Sequence, residues 1–320
     1  MLQHLRLAVD NDVPIAELIE AAQGIELEFE HNVWPFKLVH PLMVVAGAWV
    51  QRQVEVKGKD PLDVRLWLFD KVSVNGLEIK KNAKGWRALD VTYNFRKGEG
   101  SNWFYRAMDE LWVGQMRNAQ AVRNRKKLVQ RELRKAILET AKRKAPGDPV
   151  RILSLAAGSG QVIIEVLEDM RKLGVPCRAE LIDYDSSAID EAGRLVRKHH
   201  VADWVTLRTM NVLRGLWKVE PESKDIADMC GLVDYLTDTQ AVGMFERIEE
   251  RLKPGGYFLT CHIHPNVESH FMRYGINWEM IYRTPEEFQS LLERGGFPGG
   301  EYFMEPWGIH SVGSLRKIGR

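Results

Sequence analysis

The sequence predicts an α/β fold. Seven strands with intervening helices form a doubly wound, mainly parallel sheet over residues 146–320, preceded by an α+β extension over residues 1–145. Three observations carry this reading. After the helix-breaking run Pro146-Gly147-Asp148-Pro149, short apolar runs alternate with amphipathic helical stretches, the grammar of a parallel sheet covered on both faces. The first of those runs ends in a turn of small residues, Ala156-Ala157-Gly158-Ser159-Gly160, that leads directly into a helix. Before the break the periodicity changes twice, from helical to alternating and back.

In chain order, Val13 to Ala22 and Pro41 to Gln53 carry apolar residues at three- and four-residue spacing and are predicted helices. Apolar residues then cluster in Val64 to Val74. In Trp86 to Phe95, Leu89, Val91, Tyr93 and Phe95 alternate with polar neighbours. With turn chemistry at Asn75-Gly76 and at Lys97 to Gly100, this stretch predicts a small antiparallel sheet. Asn102 to Lys144 returns to a helical pattern, as one helix or a pair, with Ala121, Val122, Leu128, Val129, Leu133 and Ile137 as its buried stripe. It is strongly basic: Arg117, Arg123, Arg125, Lys126, Lys127, Arg131, Arg134, Lys135, Lys142, Arg143 and Lys144 face only Glu132 and Glu139 in its later part.

Beyond the break the predicted strands are Val150–Leu155, Ala179–Ile182, Val205–Met210, Ile226–Cys230, Gly256–His262, Tyr302–Met304 and Ile309–Arg316. The predicted helices are Gly160–Leu173, Ser186–His199, Asp238–Leu252 and Pro285–Gly295. Such sheets bind ligands at the strand C-termini.

Composition narrows the function classes. With 45 basic and 44 acidic side chains the net charge is +1, so no global field draws in nucleic acid or anionic lipid. Cys177, Cys230 and Cys261 are odd in number and widely spaced, which predicts reduced thiols in the cytoplasm and not a disulfide frame. The N-terminal residues show no apolar core of a leader peptide, and the longest uncharged apolar stretch, Pro41 to Val50, is too short to span a bilayer.

Four signals in order point to chemistry. At the first turn, Gly158 and Gly160 allow the backbone to approach a ligand closely, and the following helix N-terminus favours a negative group. Next, Ala179 to Asp185 ends a strand in an acid about 23 residues beyond Gly160; a carboxylate there accepts from both hydroxyls of a ribose. Asp183 takes this role, and Asp185 is placed to cap the next helix. Third, Asn211 ends the third strand, where a side-chain amide either meets an adenine edge or forms a turn. Fourth, Asp225 to Leu236 is followed by a helix and then by Leu252-Lys253-Pro254-Gly255-Gly256 before a buried strand.

Together these motifs resemble the class I S-adenosylmethionine (SAM)-dependent methyltransferase superfamily over about residues 150–320. The resemblance implies a Rossmann-like sheet, SAM as cofactor, and SAM contacts from Ala156, Gly158, Ser159, Gly160, Asp183, Tyr184, Asn211, Val212 and Gly231. Gly231 to Leu236, His264-Pro265-Asn266 and Trp278 to Thr284 further resemble a bacterial branch that includes enzymes named for 3-hydroxypalmitic acid methyl ester synthesis, which implies a fatty-acid-like carboxylate as acceptor. The pattern departs at two places. Ser154 stands where the superfamily carries an acid for the SAM amine, and Ala156 replaces the first glycine. Arg125 or Tyr105, from the preceding helical region, is a candidate to reach the SAM carboxylate.

Methyl transfer depends on in-line approach more than on acid–base work, although a hydroxyl acceptor benefits from a general base. His262 and His264 follow a strand at the C-terminal edge of the sheet, with Glu268 and His270 beyond, and His264 is the preferred base. No acidic or cysteine partner joins these histidines, so no metal is assigned. Tyr235, Trp278, Tyr282 and Arg283 are expected to line the acceptor pocket, with Arg283 pairing an acidic substrate group. Residues 1–145 are expected to cap the site or form a homodimer face. Two alternatives stand beside a small-molecule or lipid-like acceptor: an RNA or protein methyltransferase that tracks phosphates with the basic segment 117–144, and a non-catalytic SAM-binding scaffold suggested by Ser154 and Ala156.

Overall fold

The computed structural model describes residues 27–98 and 102–319. Among the described residues five α-helices precede the sheet: α1 (Trp34–Gln51), α2 (Val74–Lys81), α3 (Trp86–Tyr93), α4 (Trp103–Asp109) and α5 (Arg117–Lys142). The chain then alternates as predicted. Strand β1 (Val150–Leu155) leads to α6 (Gln161–Lys172), β2 (Cys177–Asp183) to α7 (Ser186–Lys198), and β3 (Val205–Thr209) to α8 (Val212–Trp217). Next come β4 (Lys224–Cys230), α9 (Asp238–Arg251), β5 (Leu252–Ile263), α10 (Ser269–Tyr274), α11 (Pro285–Arg294), β6 (Gly300–Met304) and β7 (His310–Arg316).

The seven strands form one sheet in the order β3-β2-β1-β4-β5-β7-β6. The first five are parallel and β7 inserts antiparallel between β5 and β6. Alternation along β1 divides the core: Ile152 packs with α6 residues Ile163, Ile164 and Leu167, whereas Leu153 and Leu155 face Phe245, Phe258 and Phe288 on the other side.

Helix α5 is a layer of this sheet. Its Leu133, Ala136 and Ile137 are buried against the β1 and α6 side, and Leu128 and Val129 pack with Cys261 and Val312 of β5 and β7. Its N-terminus has no capping side chain of its own. Glu268, fully buried on the loop after β5, supplies the cap: it accepts from the backbone N–H of Arg117 and Asn118 at 3.0 and 2.8 Å, and from the Asn118 amide at 2.7 Å. Much of the basic charge is neutralised from neighbouring elements. Arg123 pairs with Glu30, Lys126 with Glu165, Arg134 with Asp169, and Lys135 with Glu301, all within 3.0 Å.

The expected antiparallel sheet is not found: among the described residues no strand precedes Val150. Asn75 and Gly76 lie in the first turn of α2, whose cap Ser73 accepts from the Gly76 N–H at 2.9 Å. In α3 a helical stripe overrides the apparent alternation. Ala88 and Thr92 (i, i+4) are buried, and Leu89 and Tyr93 (i, i+4) look into the cavities described below. The helix predicted over Pro41 to Gln53 falls within α1 and the π-helical turn after it; the one predicted over Val13 to Ala22 lies outside the described residues. No helix among the described residues is long and apolar enough to cross a membrane.

Candidate active site

The turn after β1 takes three left-handed residues in five, Ala156, Gly158 and Gly160 (φ 51°, 56° and 65°). Glycine is required at 160, where a Cβ would stand 2.5 Å from Leu181. The carboxylate of Asp183, at the end of β2, locks this turn: Oδ2 accepts from the Gly158 N–H at 2.8 Å and Oδ1 from the Asp185 N–H at 2.9 Å. Asp185 in turn caps α7, accepting from the Ser187 N–H at 2.8 Å, as its position predicts. Trp86 of α3 comes down on the turn, its Cβ 3.1 Å from where a Gly158 side chain would begin, and its indole N–H donates to Ser187 Oγ at 3.0 Å.

A cleft with about 390 Å³ of accessible space opens over this turn, lined by Ser154, Ala156, Gly158, Ser159, Gly160, Asp183, Tyr184, Asp228, Gly231 and, from the helices before the sheet, Trp86 and Tyr93. Next to it is a second, smaller and apolar chamber with about 60 Å³ of accessible space. Phe69, Ile79, Trp112, Met116, Met272 and Ile276 form its walls. Leu89, Gly231, Tyr235 and Trp278 line both spaces and mark their shared boundary. The Trp278 indole N–H donates to Tyr235 Oη at 2.6 Å, which fixes this pair at the junction.

Besides Tyr235, three charged or basic groups face the chamber: Arg125 from α5, Asp234 from the turn after β4, and His310 from the start of β7. Arg125 is 4 % exposed, and among the described residues its one hydrogen bond, at 3.2 Å, goes to Tyr93 Oη. Asp234 Oδ1 accepts from the Ile263 N–H at 3.1 Å and stands 2.8 Å from Nδ1 of the fully buried His262. Burial opposes its ionisation, but the His262 contact, with the Arg125 charge, holds its carboxyl down at about 2. His310 is pushed well below the usual imidazole range, first by burial and then by the Arg125 charge, and both its ring nitrogens are without partners among the described residues. It is therefore a neutral imidazole.

Known proteins with this arrangement identify the family. Residues 72–317 match the family described as "Putative methyltransferase". The chain belongs to that methyltransferase family. The match begins at α2, so it takes in the helical cap as well as the sheet. A curated relative, Escherichia coli "Uncharacterized protein YnbC", is 24% identical over 70% of this chain and 39% of its own, so the chain spans about two fifths of that relative's length. Among solved structures, a "possible exported protein" from Bordetella parapertussis shares the fold over 87% of this chain and 96% of that one (TM-score 0.65, 19% identity). The CMeT domain of the citrinin polyketide synthase does so over 100% and 80% (0.54, 17%), and the DszA carbon methyltransferase over 68% and 64% (0.52, 17%).

Of the residues singled out by sequence in this family member, Ala156, Gly158, Ser159, Gly160, Asp183, Tyr184 and Gly231 gather in the cleft, and Tyr235 and Trp278 at the junction. Others lie elsewhere. Asn211 caps α8, accepting from the Leu213 N–H at 3.0 Å, and Val212 packs in the core beneath. Arg283 staples the loop after β4, donating to Asp238 and to the Val233 and Leu236 carbonyls, so its charge is committed. Tyr282 packs by Ile263 and Ile309. The two ring nitrogens of His264 contact the Arg283 carbonyl and Ser311 Oγ at 2.7 and 2.8 Å, and His262 stacks on Phe288; neither histidine lines the chamber. Tyr105 is outside both cavities, and Arg125 faces the chamber and not the cleft. Sequence reasoning missed Asp228, Asp234 and His310. The signal for His310 was its place at the start of the last strand, where it pairs with Ile263.

The depressed histidines make stability pH-dependent. His310 and His264 are both held below 6.5, each first by burial. As pH falls below 6.5 the unfolded chain takes up these protons before the folded one does, so stability is lost on acidification, at up to ~1.4 kcal/mol per pH unit for each histidine. Urea midpoints measured from pH 7.5 to 5 should fall, and His310→Gln should flatten the slope; an unchanged slope would show that His310 protonates freely in the fold.

Proposed function

We propose that this chain transfers the methyl group of SAM to an apolar, lipid-like small molecule whose acceptor end is an oxygen anion. The observation that carries this is the apolar chamber that joins the cleft and holds a buried guanidinium that makes no direct ion pair among the described residues. The cleft fits SAM on its own chemistry. Asp183 stands at the strand end where ribose hydroxyls are taken, the N-terminus of α6 suits a carboxylate, and Asp228 Oδ1 is a buried acceptor without a partner.

When bound, SAM supplies an electrophilic methyl group on a positively charged sulfur. The chain's residues do the rest. Asp183 and the β1 turn hold the nucleoside end; Gly231, Tyr235 and Trp278 form the passage between cofactor and acceptor; the chamber excludes water and aligns the acceptor for in-line attack. Arg125 orients the anionic end through charge-assisted hydrogen bonds. For an acceptor that carries a proton, His310 is the neutral base within the chamber, the role that sequence reasoning gave to His264. A fatty-acid-like carboxylate, which the bacterial branch resemblance implies, fits these walls and needs no base. The described helices before the sheet, α1 to α4, act as the cap that closes the chamber, while α5 also serves the sheet. The DszA carbon methyltransferase, of like fold, makes an acidic carbon an outcome to look for in the same assay.

The paired charges of α5 speak against an RNA-tracking surface. The experiment is methyl transfer from radiolabelled SAM to a series of fatty acids and hydroxylated fatty acids, with bulk tRNA alongside. Label in the organic phase that grows with chain length is expected; label on tRNA alone would refute this reading.

A further inference from the structure

We infer that Asp228 is the carboxylate that receives the α-amino group of SAM, acting from β4 in place of the acid missing at position 154. This rests on the cofactor reading above. Ser154 is the direct register partner of Asp228 across β1 and β4. The Ser154 hydroxyl donates to Asp228 Oδ2 at 2.9 Å, so the short side chain orients the neighbouring acid and does not compete with it for a cation. The other oxygen, Oδ1, is buried and accepts no hydrogen bond among the described residues, while the residue itself lines the cleft beside Ala156 and Gly158. The Cys230 thiol, on the same face of β4, lies alongside and is a weak donor.

Position explains which part of SAM this oxygen meets. Asp183 closes β2, and Asp228 lies two strands away across β1, about 10 Å at the usual strand spacing. A nucleoside held by its ribose at Asp183 therefore directs its thioether arm across the β1 turn toward β4. That arm carries one cation suited to a carboxylate, the ammonium, and one anion, which the N–H groups at the start of α6 accept. An ammonium satisfies a buried carboxylate oxygen through a charge-assisted hydrogen bond. Burial also raises the Asp228 carboxyl above its ordinary range, and an arriving cation opposes that shift, so ligand affinity weakens as pH falls through the free carboxyl's range.

The test compares two ligands by calorimetry. S-adenosylhomocysteine (SAH) has the amino-acid arm; 5′-methylthioadenosine has the same nucleoside and sulfur without it. Asp228→Asn, which keeps shape and the Ser154 contact, should weaken SAH binding about 10- to 100-fold and leave methylthioadenosine binding within about threefold. Methylthioadenosine thus reports that the variant's cleft is folded. Its affinity for SAH should also lose the acid-side weakening seen in the wild type. Wild-type affinity for SAH in Asp228→Asn would overturn the assignment and leave the methyltransferase reading intact. An equal loss of both ligands would overturn it too, because the carboxylate would then support the cleft as a whole. If the wild type binds neither ligand, the cofactor reading itself fails and this inference with it.

Discussion

Asp183→Ala is expected to lower SAH affinity by 10²-fold or more and to leave a protein that folds with a modest loss of stability. The carboxylate accepts from the Gly158 and Asp185 N–H groups and, in the proposed complex, from the ribose hydroxyls. Each charge-assisted hydrogen bond lost is worth ~1.5–3 kcal/mol to the ligand, so losing two gives a factor of about 10² to 10⁴. Removal also leaves two N–H groups of the turn without their acceptor, at ~1–3 kcal/mol of folding stability each if water cannot reach them. Asp183→Asn retains one acceptor oxygen and should fall between wild type and Ala. Calorimetry with SAH, paired with a thermal melt, reads both effects. Undiminished SAH affinity in Asp183→Ala would mean that the ligand of this cleft is not held by a ribose at β2.

Arg125→Met is expected to separate stability from turnover. A buried guanidinium that makes no direct ion pair carries a desolvation cost that an apolar side chain of similar volume does not, so the variant should melt no lower than wild type. SAH affinity should change little, because Arg125 faces the apolar chamber and not the cleft. Transfer to an anionic acceptor should fall roughly 10²-fold in kcat/KM, as the loss of a buried charge partner costs ~2–5 kcal/mol. Arg125→Lys keeps the charge but loses the planar fork and should recover only part of the rate. A variant that is less stable and equally active would assign Arg125 to the architecture and remove the anionic acceptor from the account.

The sheet was legible because its signals are local. Apolar runs such as Val150–Leu155 are long enough to be buried on both faces, and Asp185 and Gly160 mark the helix starts where they stand. The helical cap was misread because Leu89, Val91, Tyr93 and Phe95 satisfy a two-residue period on paper. The packing of Ala88 and Thr92 on one side and of Leu89 and Tyr93 on the other favours the helix. At the site, Gly158, Gly160 and Asp183 were readable from spacing, since one turn brings them together. The acceptor end was not. Arg125 sits among Arg123, Lys126 and Arg134, and nothing in that run separates a side chain aimed into a chamber from those that pair with Glu30, Glu165 and Asp169. Asp234, His310 and Arg125 come from three elements far apart in sequence, joined only by the fold. Asp228 was hidden for a related reason: the departure at Ser154 is visible in the sequence, but its compensation lies on the next strand of the sheet.

The most direct test of the central claim is titration of the wild-type protein with SAH. The account predicts saturable binding at one site per chain, with micromolar affinity, competed by SAM and by methylthioadenosine. A well-folded protein that binds none of the three at millimolar concentration would contradict it.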